Sequence, residues 1–228
     1  MKKILLCLAL LLAALPVMAD VLIIGNPPDP GAGNQFPFGG AYNAEYQQLY
    51  AASDFGGPRL IQDLEFYNTQ FDSGSTSLPT GNWKIQLSTT QVNINNLTGN
   101  FANNEGNNIT TVFDDNISQA WQFGNTLHII LGKSFLYDPS QGNLLMDVVT
   151  SGVTDPGGDT FFDVNSSGNL FSRVYCAGGV ACGSNGTVQN GYGLVTGFSG
   201  TDVPEPGTLL MMGTGIVGLV GAVRRRLL

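Results

Sequence analysis

Residues 83–88, Trp83-Lys84-Ile85-Gln86-Leu87-Ser88, alternate apolar and polar side chains. Successive side chains of a β-strand point to opposite faces of a sheet, so Trp83, Ile85 and Leu87 share one face. The pattern predicts a strand whose apolar face lies in the core.

Other short segments, separated by clusters of Asn, Gly, Ser, Asp and Pro that favour turns, also have the pattern of strands. They are residues 21–24, 45–52, 60–67, 109–113, 126–131, 135–137, 144–149, 160–164, 170–175 and 192–198. Residues 45–52 also fit a helical spacing, but the segment is too short to be a stable helix by itself, which favours a strand.

No segment within residues 20–202 keeps a helical period over three turns. Short strands with turns at this spacing predict an all-β fold, an antiparallel β-sandwich or jelly roll, for a domain spanning residues 20–202. The Asn-rich residues 91–108 are predicted to form a long loop between two sheets.

The N-terminus has the three parts of a secretory signal peptide. Lys2 and Lys3 precede the apolar residues 4–15, and Val17-Met18-Ala19 forms a small-residue cleavage site before Asp20. Residues 1–19 are therefore predicted to direct export and to be removed by signal peptidase. An uncleaved N-terminal anchor is the alternative.

The C-terminal residues 203–228 form a second targeting segment. The apolar residues 208–223 are predicted to be a transmembrane helix, and the arginines after them act as a basic stop-transfer cluster on the cytoplasmic side. Sixteen helical residues span only about 24 Å, less than the bilayer core of about 30 Å, so this segment suits a transient anchor. The proline motif before it is Val203, Pro204, Glu205 and Pro206, and the basic cluster is Arg224, Arg225 and Arg226.

The charge of residues 20–202 restricts the partners. They contain 16 acidic and four basic side chains, a net charge of −12 with histidine neutral. A field of this sign opposes nucleic acids and anionic lipid surfaces, which we exclude as partners.

Only Cys176 and Cys182 remain once residues 1–19 are removed. In an exported protein such a pair predicts a disulfide that closes the small Gly-rich loop between them.

Metal binding and catalysis have weak support in the sequence. Asp155, Asp159 and Asp163 offer carboxylates at intervals of four, but the spacing differs from the DxDxDG calcium loop. No cofactor is expected, and calcium is the one that the sequence leaves open. His128 lies within a predicted strand without a nucleophilic cysteine, a GxSxG motif or an HExxH motif, so the chain is not expected to be an enzyme. A hydrolase that uses two carboxylates is a less favoured alternative.

Aromatic side chains raise the alternative of sugar binding, because rings stack on sugar faces. Core packing is the favoured interpretation for the tryptophans, with Trp121 the better candidate for exposure. The candidate rings are Trp83, Trp121, Tyr42, Tyr46, Tyr137 and Tyr192.

The order of proline motif, apolar run and arginines in residues 203–226 resembles the PEP-CTERM sorting signal, also labelled "ice-binding protein C-terminal domain". The resemblance covers the tail only, and the body lacks the repeated Thr-x-Thr ranks of ice-binding solenoids. It implies an exported protein that is held in the inner membrane as a precursor. An exosortase would then cut it at the motif and release or transfer it to the cell surface. A plain C-terminal anchor is the alternative.

These observations predict a non-catalytic protein of the cell surface or extracellular matrix. The alternative from another class is a carbohydrate-binding module for exopolysaccharide. The expected partners are signal peptidase and exosortase, together with the inner membrane before processing.

Overall fold

The alternating segment 83–88 lies within an eleven-residue strand, Thr80–Thr90, and its side chains Trp83, Ile85 and Leu87 are completely buried. This computed structural model describes residues 20–40, 44–154, 158–166, 168–176, 185–203 and 215. The described strands are β1 (Asp20–Ile24), β2 (Gly33–Asn34), β3 (Glu45–Tyr50), β4 (Arg59–Tyr67), β5 (Thr80–Thr90), β6 (Thr110–Asp115), β7 (Thr126–Tyr137), β8 (Asn143–Thr154), β9 (Phe162–Asn165), β10 (Phe171–Tyr175), β11 (Thr187–Asn190), β12 (Gly193–Leu194) and β13 (Thr196–Asp202). Three short 3-10 helices lie at Ala52–Asp54, Phe101–Asn103 and Pro139–Gln141.

The strands form three antiparallel sheets. One sheet has the order β1-β13-β4-β7, the second has the order β11-β10-β3-β8-β5-β6, and a small third sheet has the order β12-β9-β2. The prediction of an all-β, antiparallel fold is confirmed.

The two larger sheets pack against each other around one hydrophobic core. A single buried cluster contains Leu64 and Phe198 of the four-stranded sheet together with Trp83 of the six-stranded sheet. Tyr50 crosses this interface: its ring lies edge-on to Phe198 at 5.0 Å, and its hydroxyl hydrogen-bonds Thr196 Oγ1 at 2.9 Å. Side chains of both sheets therefore share one core.

The N-terminal loop and the third sheet cover one region of this core. The Phe38 ring lies 4.5 Å from the Phe66 ring and 6.1 Å from the Phe162 ring. Trp83 Nε1 donates a hydrogen bond to the backbone oxygen of Pro37 at 3.0 Å. A buried indole N–H needs such an acceptor, so the loop also completes the environment of Trp83.

The prediction of separate strands at residues 126–131 and 135–137 is wrong, because one strand, β7, runs through both. Opposite it, Ile61 pairs with Phe135 and Asp63 pairs with Ile130. Residues 131–134 therefore face Gln62 alone, and this bulge contains the Gly-Lys-Ser sequence that suggests a turn.

The predicted strand at residues 192–198 is divided between two sheets. Its first part forms β12 beside β9, and its second part begins β13 beside β1 and β4. The two-residue strand β2 and the polar strand β11 were not predicted from the sequence.

The prediction that residues 91–108 form a loop between two sheets is wrong. The loop joins β5 and β6, which are neighbours in the six-stranded sheet. It folds back over the outer face of that sheet. Leu97 and Phe101 of the loop form a second buried cluster with Leu49, Leu145 and Val174 of the strands. These apolar side chains give the loop a core of its own.

In the part of the chain that the structure describes, no helix is both long and apolar enough to cross a membrane. Apart from residue 215, the predicted transmembrane residues 208–223 lie outside that part, as do the predicted signal residues 1–19. Both segments stay predictions.

Candidate functional sites

A buried polar network attaches the loop of residues 91–108 to the sheet. Gln47 lies opposite Asp147 in the β3–β8 pair, and its Nε2 donates to Asp147 Oδ2 at 2.9 Å and to the backbone oxygen of Phe101 at 3.1 Å. Asn104 Nδ2 donates to Gln47 Oε1 at 2.9 Å. Since Gln47, Asn104 and Asp147 are all buried, each of these hydrogen bonds replaces one to water.

Three carboxylates meet beside this network: Glu45 on β3, Asp147 on β8 and Glu105 on the loop. The pKa of Glu45 is raised to about 7, first by burial and then by the charges of Asp147 and Glu105, while Lys84 opposes the shift. Burial also raises the pKa of Asp147 to about 6, with Gln47 and Lys84 lowering it and Glu105 raising it. Asp147 Oδ1 is buried and has no hydrogen-bond partner in the described part of the chain.

Glu45 and Asp147 have pKa values raised toward neutral pH. Raised pKa values of this kind also occur at the general acids of hydrolases. Asp147, however, is only 2% exposed, so its carboxylate lies under the loop and out of reach of a substrate. Through its hydrogen bond from Gln47, Asp147 helps to fix the loop on the sheet.

The weak metal candidates are not brought together by the described residues. Asp159 is exposed, whereas Asp163 is buried and accepts hydrogen bonds from Thr69 N at 2.7 Å, Thr69 Oγ1 at 2.6 Å and Gln70 N at 3.0 Å. Asp163 thus fixes the turn after β4. Asp155 lies outside the described residues, and within them no group of three His, Cys, Asp or Glu side chains could hold a metal ion.

Most of the aromatic candidates lie in the core. Trp121, which the sequence favoured among the two tryptophans for exposure, is 5% exposed and packs on Phe162 with ring centroids 5.4 Å apart. Tyr192 is partly buried, and its ring lies 3.9 Å from the guanidinium carbon of Arg173. Tyr42 lies outside the described residues, and the completely buried candidates are Trp83, Tyr46 and Tyr137.

His128 is exposed on the outer face of the four-stranded sheet. Its Nδ1 lies 3.6 Å from Glu65 Oε1, and the same carboxylate accepts hydrogen bonds from Ser199 Oγ at 2.9 Å and Tyr67 Oη at 2.8 Å. In a catalytic triad the histidine stands between the hydroxyl and the carboxylate. Here Glu65 stands between them, so the three side chains do not have the order of a Ser-His-Asp triad.

Cys176 directly follows β10 and is buried, but Cys182 lies outside the described residues. The disulfide between them stays a prediction.

The β-sheet body, residues 20–202, ends where the proline motif begins. β13 stops at Asp202, and the next residue, Val203, donates its backbone N–H to the backbone oxygen of Pro58 at 2.8 Å. Arg59 Nη1 forms an ion pair with Asp202 Oδ1 at 2.7 Å, and Arg59 Nη2 donates to the backbone oxygen of Asp20. We call these contacts the sorting junction.

A β-sheet body that continues directly into a proline motif, an apolar run and three arginines is typical of an exported protein sorted by its tail. Residues 202–226 match the family model described as the PEP-CTERM protein-sorting motif. The chain carries this motif, and the suspected resemblance is confirmed. The motif indicates export, sorting via the membrane and processing by an exosortase. Among curated proteins, no sequence matches the chain.

Sequence reasoning did not single out Arg59 or the carboxylate cluster. Arg59 is one of only four basic residues between residues 20 and 202. This rarity was the one feature of the sequence that could have indicated a specific role for it. Glu45, Glu105 and Asp147 are dispersed along the chain, and only the pairing of β3 with β8 and the return of the loop bring them together.

Proposed function

We propose that this chain is the precursor of a non-catalytic protein of the cell surface or extracellular matrix. The observation that carries the proposal is the PEP-CTERM motif at residues 202–226, which begins at the last residue of the β-sheet body. Export places the body outside the inner membrane, and processing at the motif detaches it from its anchor. The work of the body there is structural or adhesive.

Two features of the body support a non-catalytic role. The Ser199–Glu65–His128 arrangement does not have the order of a Ser-His-Asp triad, and the buried Asp147 cannot reach a substrate. A carbohydrate-binding module has less support, because Trp83, Trp121, Tyr46 and Tyr137 fill the core instead of forming a surface platform.

The test compares the wild type with Glu205→Gln in the native host, by membrane fractionation and mass spectrometry. The wild type is expected in a shortened form at the surface, and the variant is expected to accumulate at full length in the inner membrane. Glu105→Gln makes the same chemical change within the body and is expected to be processed like the wild type. A wild type that keeps the residues beyond Pro206 would overturn the proposal.

The proposal that the protein is not an enzyme is tested separately, by incubating the processed protein with the exopolysaccharide of the host. No release of reducing ends is expected. Release that disappears in Glu45→Gln would contradict the proposal and assign the carboxylate cluster to catalysis.

A further inference from the structure

Both ends of the body leave the fold at the same place. β1 begins at Asp20, which pairs with Gly200 of the antiparallel strand β13, and β13 ends two residues later at Asp202. Neighbouring strands are about 4.8 Å apart and a residue advances a strand by about 3.3 Å, so the two ends lie within about 8 Å. The first described residue, Asp20, therefore lies beside Asp202, the first residue of the stretch that matches the sorting motif.

Among the described residues, the last two residues of β13 pair on one side only. Up to Gly200 the strand lies between β1 and β4, but Thr201 and Asp202 pair only with Leu60 and Arg59 of β4 in the described structure. A strand end with one neighbour opens more easily than a strand with two, because fewer hydrogen bonds hold it.

Arg59 adds side-chain contacts at this end of β13. It is 4% exposed, and its guanidinium bonds Asp202 with one nitrogen and the Asp20 backbone oxygen with another. It thereby ties the end of β13 to the start of β1. The rigid fork of arginine can bind two acceptors at fixed positions, which the single ammonium of lysine does less well.

The hydrogen-bonded chain stops at a defined residue. Val203 N–H bonds the Pro58 oxygen, and the next residue is Pro204. Proline has no backbone N–H, so the ladder cannot continue through it. Val203 is therefore the last residue that the described structure holds on the sheet.

We propose that Arg59 is a positioning residue for the processing reaction. By holding Asp202 and Val203 on the sheet, it presents the enzyme with the chain from Pro204 onward and withholds the end of β13. The inference rests on the proposed function. Processing breaks one peptide bond of the motif: the acyl carbon passes to water or to an amine acceptor, and the tail leaves as a free amine.

The test uses full-length Asp202→Asn, Arg59→Gln and Arg59→Lys in the native host. Asp202→Asn removes the ion pair at an exposed side chain, so the body is expected to stay folded. The Asp202 side chain is 75% exposed and asparagine keeps an acceptor oxygen, so the open population of the junction is expected to rise by about two- to fivefold. Hydrogen exchange at the Val203 amide is expected to accelerate by the same factor.

The decisive readout is the C-terminus of the processed protein, measured by mass spectrometry. The wild type is expected to have a single C-terminus beyond Val203. Asp202→Asn and Arg59→Gln are expected to add shorter species that end before Val203, and Arg59→Lys is expected to restore the wild-type terminus in part. Arg173→Gln is the matched control, because it removes the other buried arginine, on β10, and lowers stability without touching the junction.

The outcomes separate this inference from the proposed function. A wild type that is not processed overturns both. A processed wild type whose C-terminus is unchanged in Asp202→Asn and Arg59→Gln overturns the role of Arg59 alone. Shorter species in Arg173→Gln would assign the effect to general instability and would also overturn it.

Discussion

Replacing Asp147 by asparagine is expected to stabilise the protein at neutral and alkaline pH. The side chain is buried beneath the loop of residues 91–108 with Oδ1 unpaired among the described residues, and its pKa is raised from 3.8 to about 6. The folded protein therefore binds this proton more tightly than the unfolded chain does. The contribution of Asp147 to stability is fully present below about pH 3.8 and is lost as the pH rises through about 6.

The size of the effect follows from the shift. About two pKa units at about 1.4 kcal/mol each set an upper bound of about 3 kcal/mol for the cost of ionising Asp147. Asparagine has the same shape, keeps an oxygen for Gln47 Nε2 and carries no charge. We expect Asp147→Asn to raise the free energy of unfolding by about 1–3 kcal/mol near pH 7.5 and to change it little near pH 4.

Glu45 adds to the pH dependence in the same direction. Its pKa is raised from 4.5 to about 7, so its contribution is present below about pH 4.5 and is lost through about 7. The side chain is partly exposed, and solvent screening makes its effect smaller than the shift alone would give. The wild type should therefore lose stability steadily between about pH 4 and 7.

The assay is urea unfolding of the full chain in mild detergent, followed by tryptophan fluorescence, which reports the core because Trp83 and Trp121 are both buried. Asp114→Asn is the control, since it makes the same change at an exposed position of the same sheet and should alter stability by less than about 0.5 kcal/mol. An Asp147→Asn protein that is no more stable than the wild type near pH 7.5, or whose slope with pH is unchanged, would refute the reasoning.

Three further substitutions, one of them with a matched control, test core packing, backbone clearance and buried hydrogen bonds. Each is measured by its thermal midpoint and by urea unfolding. Trp83→Ala should cost about 3–5 kcal/mol, because it empties a completely buried site; a loss below 1 kcal/mol would contradict the core assignment. Gly200→Ala would place a Cβ 2.0 Å from the backbone oxygen of Leu60 and should destabilise by more than about 1 kcal/mol, whereas Gly56→Ala, in open space, should be nearly neutral. Asp163→Asn should cost about 1–3 kcal/mol through its three hydrogen bonds, and a chelator should leave the wild-type midpoint unchanged; a chelator-induced drop would instead indicate a metal.

The fold class could be predicted from the sequence because the alternation within single strands is a local signal. Trp83, Ile85 and Leu87 are buried as their spacing predicts. A β-bulge, or a point where the chain passes from one sheet to another, leaves a weaker signal in the sequence. The bulge opposite Gln62 interrupts the pattern of β7 as a turn would, and nothing in residues 192–198 shows that the chain passes from one sheet to another at Val195.

The two sites differ in how far the sequence predicts them. The sorting motif is contiguous, so its residue order was sufficient to identify it. The carboxylate cluster depends on which strands are neighbours and on the path of the loop over the sheet. Neither can be derived from local composition, so Glu45 was only one acid among sixteen. Arg59 likewise acquires its role only through the pairing of β4 with β13.

The antiparallel pairing of β1 with β13 has a mechanical consequence. Asp20 and Asp202 lie at the same end of this pair, so a pull on the two chain ends acts across the hydrogen bonds of the ladder rather than along the strands. The force then acts on one pair of backbone hydrogen bonds at a time, so β1 separates from β13 sequentially, starting at Asp20. A protein stretched between Asp20 and Asp202 is therefore weakest along the β1–β13 ladder.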